Sequence, residues 1–176
     1  NIFIGAYSGQ NNTTGALNTF VGNDTGPSLT TSQQNTFLGA GVARYKAGGS
    51  YNTFLGNGAG AWSGDSAGYS VYIGTNAGYS TDGGSNVFLG YQAGYNETGS
   101  NKLIIENSNA STSLIYGDFS SDFVSISTSL FTDTFEAKTA SIGGNVDLNS
   151  TGLILNIGNS GTDFTTGGGL TLAGAG

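Results

Sequence analysis

One short phrase recurs six times along the first half of this chain, and its spacing limits the fold more than any other feature. The phrases are NIFIG (1–5), NTFVG (18–22), NTFLG (35–39), NTFLG (52–56), SVYIG (70–74) and NVFLG (86–90). Their closing glycines, Gly5, Gly22, Gly39, Gly56, Gly74 and Gly90, are separated by 17, 17, 17, 18 and 16 residues. The last two steps sum to 34, so an insertion in one unit is corrected in the next and the phase is kept. Four residues beyond each glycine stands another small residue: Gly9, Gly26, Ala43, Gly60, Gly78 and Gly94. Self-similarity at a fixed period predicts stacked repeats.

A unit of this length is shorter than the helix-containing repeats, which run to about 20 residues or more. It suits one coil of a parallel β-solenoid, or β-roll, with two strands of about five residues joined by Gly, Asn and Ser turns. Composition agrees. The chain has 32 Gly, one Pro and 9% charged residues, against about 25% charged in an ordinary globular chain. The residue before each aromatic is Ile2, Thr19, Thr36, Thr53, Val71 or Val87, and β-branching suits a pleated surface. The leading Asn, replaced by Ser70 in one coil, is expected to stack as an amide ladder at a corner.

Side chains alternate along a strand. The aromatics Phe3, Phe20, Phe37, Phe54, Tyr72 and Phe88 therefore form one ladder, and Ile4, Val21, Leu38, Leu55, Ile73 and Leu89 form another on the opposite face. A narrow coil has one inside and buries one ladder. The other would leave an apolar stripe of roughly 600–1,000 Å² exposed, more than soluble monomers usually tolerate. The chain is thus expected to associate along its length with copies of itself, with three-fold rotational symmetry as the favoured arrangement. The bland alternative is a wide single-chain solenoid whose loops cover the second ladder; the Gly-, Ser-, Thr- and Asn-rich linkers offer little cover.

The expected organisation is a β-roll over 1–100, capping and connecting strands over 101–130, and the start of a β-rich trimeric stem over 131–176. NKLIIEN (101–107) begins like another coil. SLIYGDFSSDFVSIS reads as strand, turn and strand, with Gly117-Asp118 and Ser120 to Asp122 as turn material. The chain contains no Met, which is expected of a processed chain or part of a longer one.

The net charge of −7 with only four basic residues gives no footprint for nucleic acid. No apolar run approaches the roughly 20 residues of a membrane span. With no His and no Cys, no catalytic, metal or cofactor constellation is expected. Asp118 and Asp122 flank a turn and are the one pair to weigh for glycosidase-type chemistry, against the plainer reading of a solvated turn. Regular threonines at 19, 36 and 53 raise an ice-binding face, but Ile2, Val71 and Val87 fill the same position, so β-branching explains them. Trp62, Tyr69, Tyr79 and Tyr95, with Tyr7, Tyr45 and Tyr91, are candidate recognition residues, because aromatics with polar neighbours make binding hot spots. Shielding of the turns is the competing role.

The coils resemble two known groups. They look like the β-roll heads of trimeric autotransporter adhesins, and more closely like the Asn-Thr-Phe-Leu-Gly repeats of phage tail-fibre and bacterial surface proteins. The segment NKLIIENSNASTSLIYGDFSSDFVSI (101–126) is similar to the stretch that comes after the repeats in those proteins. The resemblance covers residues 1 to about 126. It implies a homotrimeric, elongated extracellular fibre on a virion tail or cell surface, part of a larger tail or fibre assembly, with a host-surface glycan or protein as its partner and no enzymatic activity. The alternatives in the same class are a bacterial adhesin or extracellular filament; from another class, a glycan-degrading tailspike.

Overall fold

The computed structural model describes residues 1–127 apart from 47 and 65–67. All of them belong to one unit, Asn1–Asp133; the expected stem over 131–176 lies outside the described residues. Nine strands form one sheet in chain order: β1 (Ile2–Ile4), β2 (Thr19–Val21), β3 (Thr36–Leu38), β4 (Thr53–Leu55), β5 (Val71–Ile73), β6 (Val87–Leu89), β7 (Lys102–Ile105), β8 (Ile115–Asp118) and β9 (Phe123–Ile126). Strands β1 to β7 pair in parallel, so the chain winds through six coils of a β-solenoid, all-β and without helix among the described residues. Strands β8 and β9 then pair antiparallel as a hairpin.

The register is in phase throughout. Phe3, Phe20, Phe37, Phe54, Tyr72 and Phe88 pair in one row and stack ring on ring, with centroids 4.4 to 5.0 Å apart. All but Phe3 are fully buried, and Ile104 extends the row. Each stacked pair adds about 0.5–1.5 kcal/mol beyond the area it buries. The aromatic ladder is therefore the inside of the coil.

Each coil has one strand of three residues rather than two of about five. Consecutive turns replace the second strand. In the fourth coil Ala59, Ala61 and Ser63 donate their N–H groups to the carbonyls of Gly56, Gly58 and Gly60, three residues back. The intervening amides point to neighbouring coils: Gly58 to Ala40, Gly60 to Ala77 and Trp62 to Tyr79, at 2.7 to 3.0 Å. Alternate amides thus close the turns and stack the coils, which satisfies the backbone without strand geometry.

Glycine answers two demands in this fourth coil. Gly56 sits at φ +132, and a Cβ on it would lie 2.5 Å from the carbonyl oxygen of Gly74 in the next coil. Gly60 sits at φ +59, and a Cβ there would meet the Phe54 ring at 2.5 Å. The first glycine lets coil backbones lie directly on one another; the second makes room for the aromatic of its own coil.

The leading asparagines Asn18, Asn35, Asn52 and Asn86 are buried at the corner. Their side-chain oxygens accept the backbone N–H of the next coil's equivalent residue: Asn18 from Asn35, Asn35 from Asn52 and Asn52 from Ser70, at 2.9 to 3.0 Å. Ser70 Oγ takes the same role toward Asn86 at 3.2 Å. Asn86 passes it on to Lys102 at 2.7 Å. The rungs are mainly side chain to backbone; one amide-to-amide contact, Asn35 to Asn18, is 3.3 Å long.

Gly117 and Asp118 lie within β8 rather than in a turn. Gly117 pairs between Leu103 and Val124, and a Cβ on it would come within 3.1 Å of both the Leu103 side chain and the Phe123 carbonyl. Turn chemistry and close strand contact both select glycine, so residue type alone does not separate them.

Candidate functional site

Two surfaces combine exposed residues with regular order. The first is the outer face of the sheet. Ile4, Val21, Leu38, Leu55, Ile73 and Leu89 pair in register, and the row continues through Ile105, Ile115 and Ile126. Nine consecutive aliphatic side chains share one column, which at a strand spacing of ~4.8 Å is roughly 38 Å long. Beside it run Ile2, Thr19, Thr36, Thr53, Val71, Val87, Leu103, Gly117 and Val124. Ile4, Leu38, Leu55 and Leu89 are 58%, 48%, 41% and 43% exposed. In the single chain this is the uncovered ladder. Sequence reasoning found six of its members; the three from β7 to β9 lack the repeat phrase and emerge from register alone.

The second surface lies on the turns. Tyr45 and Trp62 rings meet at 4.0 Å, Trp62 Nε1 donates to Tyr79 Oη at 2.9 Å, and Tyr79 stacks on Tyr95 at 4.8 Å. Four successive coils thus bring Trp62, Tyr79 and Tyr95 together with Tyr45. Tyr69 belongs elsewhere: it stacks on Tyr51 at 4.8 Å. The first row borders a groove of about 490 Å³, which Asn23, Asn57 and Asn76 also line. Arg44 pairs with Asp24 at 2.5 Å in the same groove, and its guanidinium lies 5.1 Å from the centre of the Tyr45 ring. The asparagines and the ion pair carried no signal that sequence reasoning used.

The carboxylates weighed for catalysis are differently placed. Asp118 accepts hydrogen bonds from Lys102 Nζ at 2.6 Å and from the Ser120 N–H and hydroxyl. The Lys102 ammonium, helped by those two donors, holds its carboxyl far below the usual range, and the same pairing raises Lys102. A carboxylate so held is poorly suited to donate a proton. Asp122 sits in the β8–β9 turn at φ +51. Glu106 is also lowered, chiefly by the Asn107 N–H, then by the Ser108 hydroxyl and the Leu114 N–H. It ties together the loop that leaves β7.

Comparison with protein-family models, with curated proteins and with solved structures gave no match.

Proposed function

We propose that the chain is a structural segment of an elongated, homotrimeric extracellular fibre, of the kind a phage tail fibre or tail-like appendage uses to attach to a host surface. The observation that carries this reading is the unbroken nine-residue aliphatic column on the outer face of the sheet. Its area, roughly 600–1,000 Å², matches the ~800 Å² per partner of a stable interface. Covering it contributes on the order of 15–25 kcal/mol per chain as an upper bound. Three copies around an axis parallel to the coils bury all three columns and close the assembly. The resemblance of the repeats to those of fibre proteins supports the same reading. Its work is mechanical: stiff coils hold recognition surfaces away from an anchoring body, and three copies give avidity.

Sedimentation and light scattering of the purified chain test this. A trimer is expected. Leu38→Lys with Leu55→Lys places charges on side chains that are half exposed in the single chain, so it should yield a folded monomer. A wild-type monomer would sink the proposal, and a wild-type dimer would overturn its three-fold form.

A further inference from the structure

The groove on the turns is built by five successive coils, which contribute Asp24, Arg44, Trp62, Tyr79 and Tyr95 in turn. One wall is aromatic and half exposed: Tyr45 is 47% and Trp62 51% open. Asn23, Asn57 and Asn76 add carboxamides, and the lining between is small: Ala40, Gly41, Gly58 and Ala61. At Gly41 a Cβ would meet nothing within 4 Å, so the floor there is open. We propose that this groove binds a neutral polysaccharide chain lying along the stack of coils.

Three observations select that class. First, Arg44 and Asp24 neutralise each other across a 2.5 Å contact, and the chain as a whole carries −7. The field therefore repels a polyanion, and the residues lining the groove offer no free cation to capture one. Second, alternate backbone amides of the lining are committed between coils: Gly41 donates to Asn23, Gly58 to Ala40, Asn76 to Asn57 and Trp62 to Tyr79, at 2.7 to 3.0 Å. An extended peptide would find no main-chain ladder to join. The side chains offer carboxamides, phenol hydroxyls and the outward edges of the stacked rings, which match sugar hydroxyls and C–H groups. Third, the wall carries one aromatic ring in each of four successive coils, Tyr45, Trp62, Tyr79 and Tyr95, and an extended glycan advances per sugar unit by a length comparable to the ~4.8 Å strand spacing. A periodic ligand then meets a ring at each successive unit.

Trp62 is the only tryptophan in the chain, so its fluorescence reports on the groove. The full chain is titrated with cellohexaose, chitohexaose, mannohexaose and hexagalacturonic acid, and with the dimer of any responding series. A saturable change is expected with at least one neutral hexamer, tighter than its dimer and tighter than the anionic probe. Gly41→Gln fills the floor without breaking the turn, because Gln92 holds the equivalent position in the last coil at φ +57. It should weaken binding by about tenfold or more. Trp62→Ser, a residue that Ser28 supplies at the equivalent point of an earlier coil, should do the same in a calorimetric titration. No saturable response to any neutral hexamer at millimolar concentration overturns the proposal, as does binding that Gly41→Gln leaves unchanged. Equal or tighter binding of hexagalacturonic acid overturns the neutral class. Sedimentation of the same samples reports assembly separately, so either idea can fail alone.

Discussion

At the residue scale the molecule is governed by where a Cβ fits. Five of the six coils place glycine under their own aromatic ring; the third places Ala43 there, fully buried at φ +49. A left-handed backbone costs a non-glycine residue about 1–2 kcal/mol, so Ala43→Gly should stabilise the chain by about 1 kcal/mol. Gly60→Ala sets a methyl against Phe54 and should cost about 2 kcal/mol or more. Chemical denaturation of both variants checks the pair; equal and small effects would mean the rings tolerate the methyl. Position four after the repeat glycine was readable as small in every unit. Why it is small was not, because the ring it accommodates belongs to the same coil and faces it only after the chain has turned. Left-handed corners at Leu17, Gln34, Tyr51 and Tyr69 left no trace in the residue types. There the neighbouring coil imposes the conformation: the Gln34 N–H reaches Ala16 and the Tyr69 N–H reaches Ser50.

At the scale of elements, the corner ladder and the final hairpin make separate demands. Asn35 accepts the Asn52 N–H and donates to Gly49. Asn35→Ala strands those buried groups and should cost about 2–4 kcal/mol. Asn35→Ser should cost clearly less, since Ser70 does this work in the fifth coil; thermal melting of the two variants decides. In the hairpin, the depressed Asp118 contributes stability that is complete above its unfolded value of about 3.9 and is lost as pH falls through its folded value. The raised Lys102 contributes stability that is complete below about 10.4 and is lost as pH climbs through its folded value. The melting-temperature gap between wild type and Asp118→Asn should therefore hold from about pH 4 to 10 and close on the acid side. A gap that persists unchanged to strongly acid pH would remove the ion pair from the account. The strands themselves were legible, since TFL and VYI are short, apolar and β-branched. The missing second strand was not, because consecutive turns and a strand both read as Gly, Ala and Asn between apolar residues.

For the whole molecule, each described coil rests on the next through the same register, and stability is a sum of like junctions. Removing residues 18–34, one full period, joins Leu17 to Asn35 and should leave a cooperatively folded chain one coil shorter. Removing 16 residues over the same span leaves a coil of 18, the length the fourth coil already holds in register, and should fold too; removing 18–25, about half a period, leaves an oversized coil that the stack does not match and should lower the melting temperature. Circular dichroism with melting curves distinguishes the outcomes. This architecture was readable from six phrases because a period repeats its evidence. The groove was not, since its parts come from five coils at non-identical offsets, and only stacking aligns Trp62 with Tyr79.

The serine that interrupts the carboxamide corner has a mechanical corollary. A rod pulled along its axis carries the same tension through every junction, so the junction with the longest handhold gives way first. Ser70 reaches its neighbour at 3.2 Å where the asparagine rungs on either side close at 2.7 to 3.0 Å. Under load, the stack of coils would part between the fifth and sixth windings, leaving most of the aromatic column intact on one fragment.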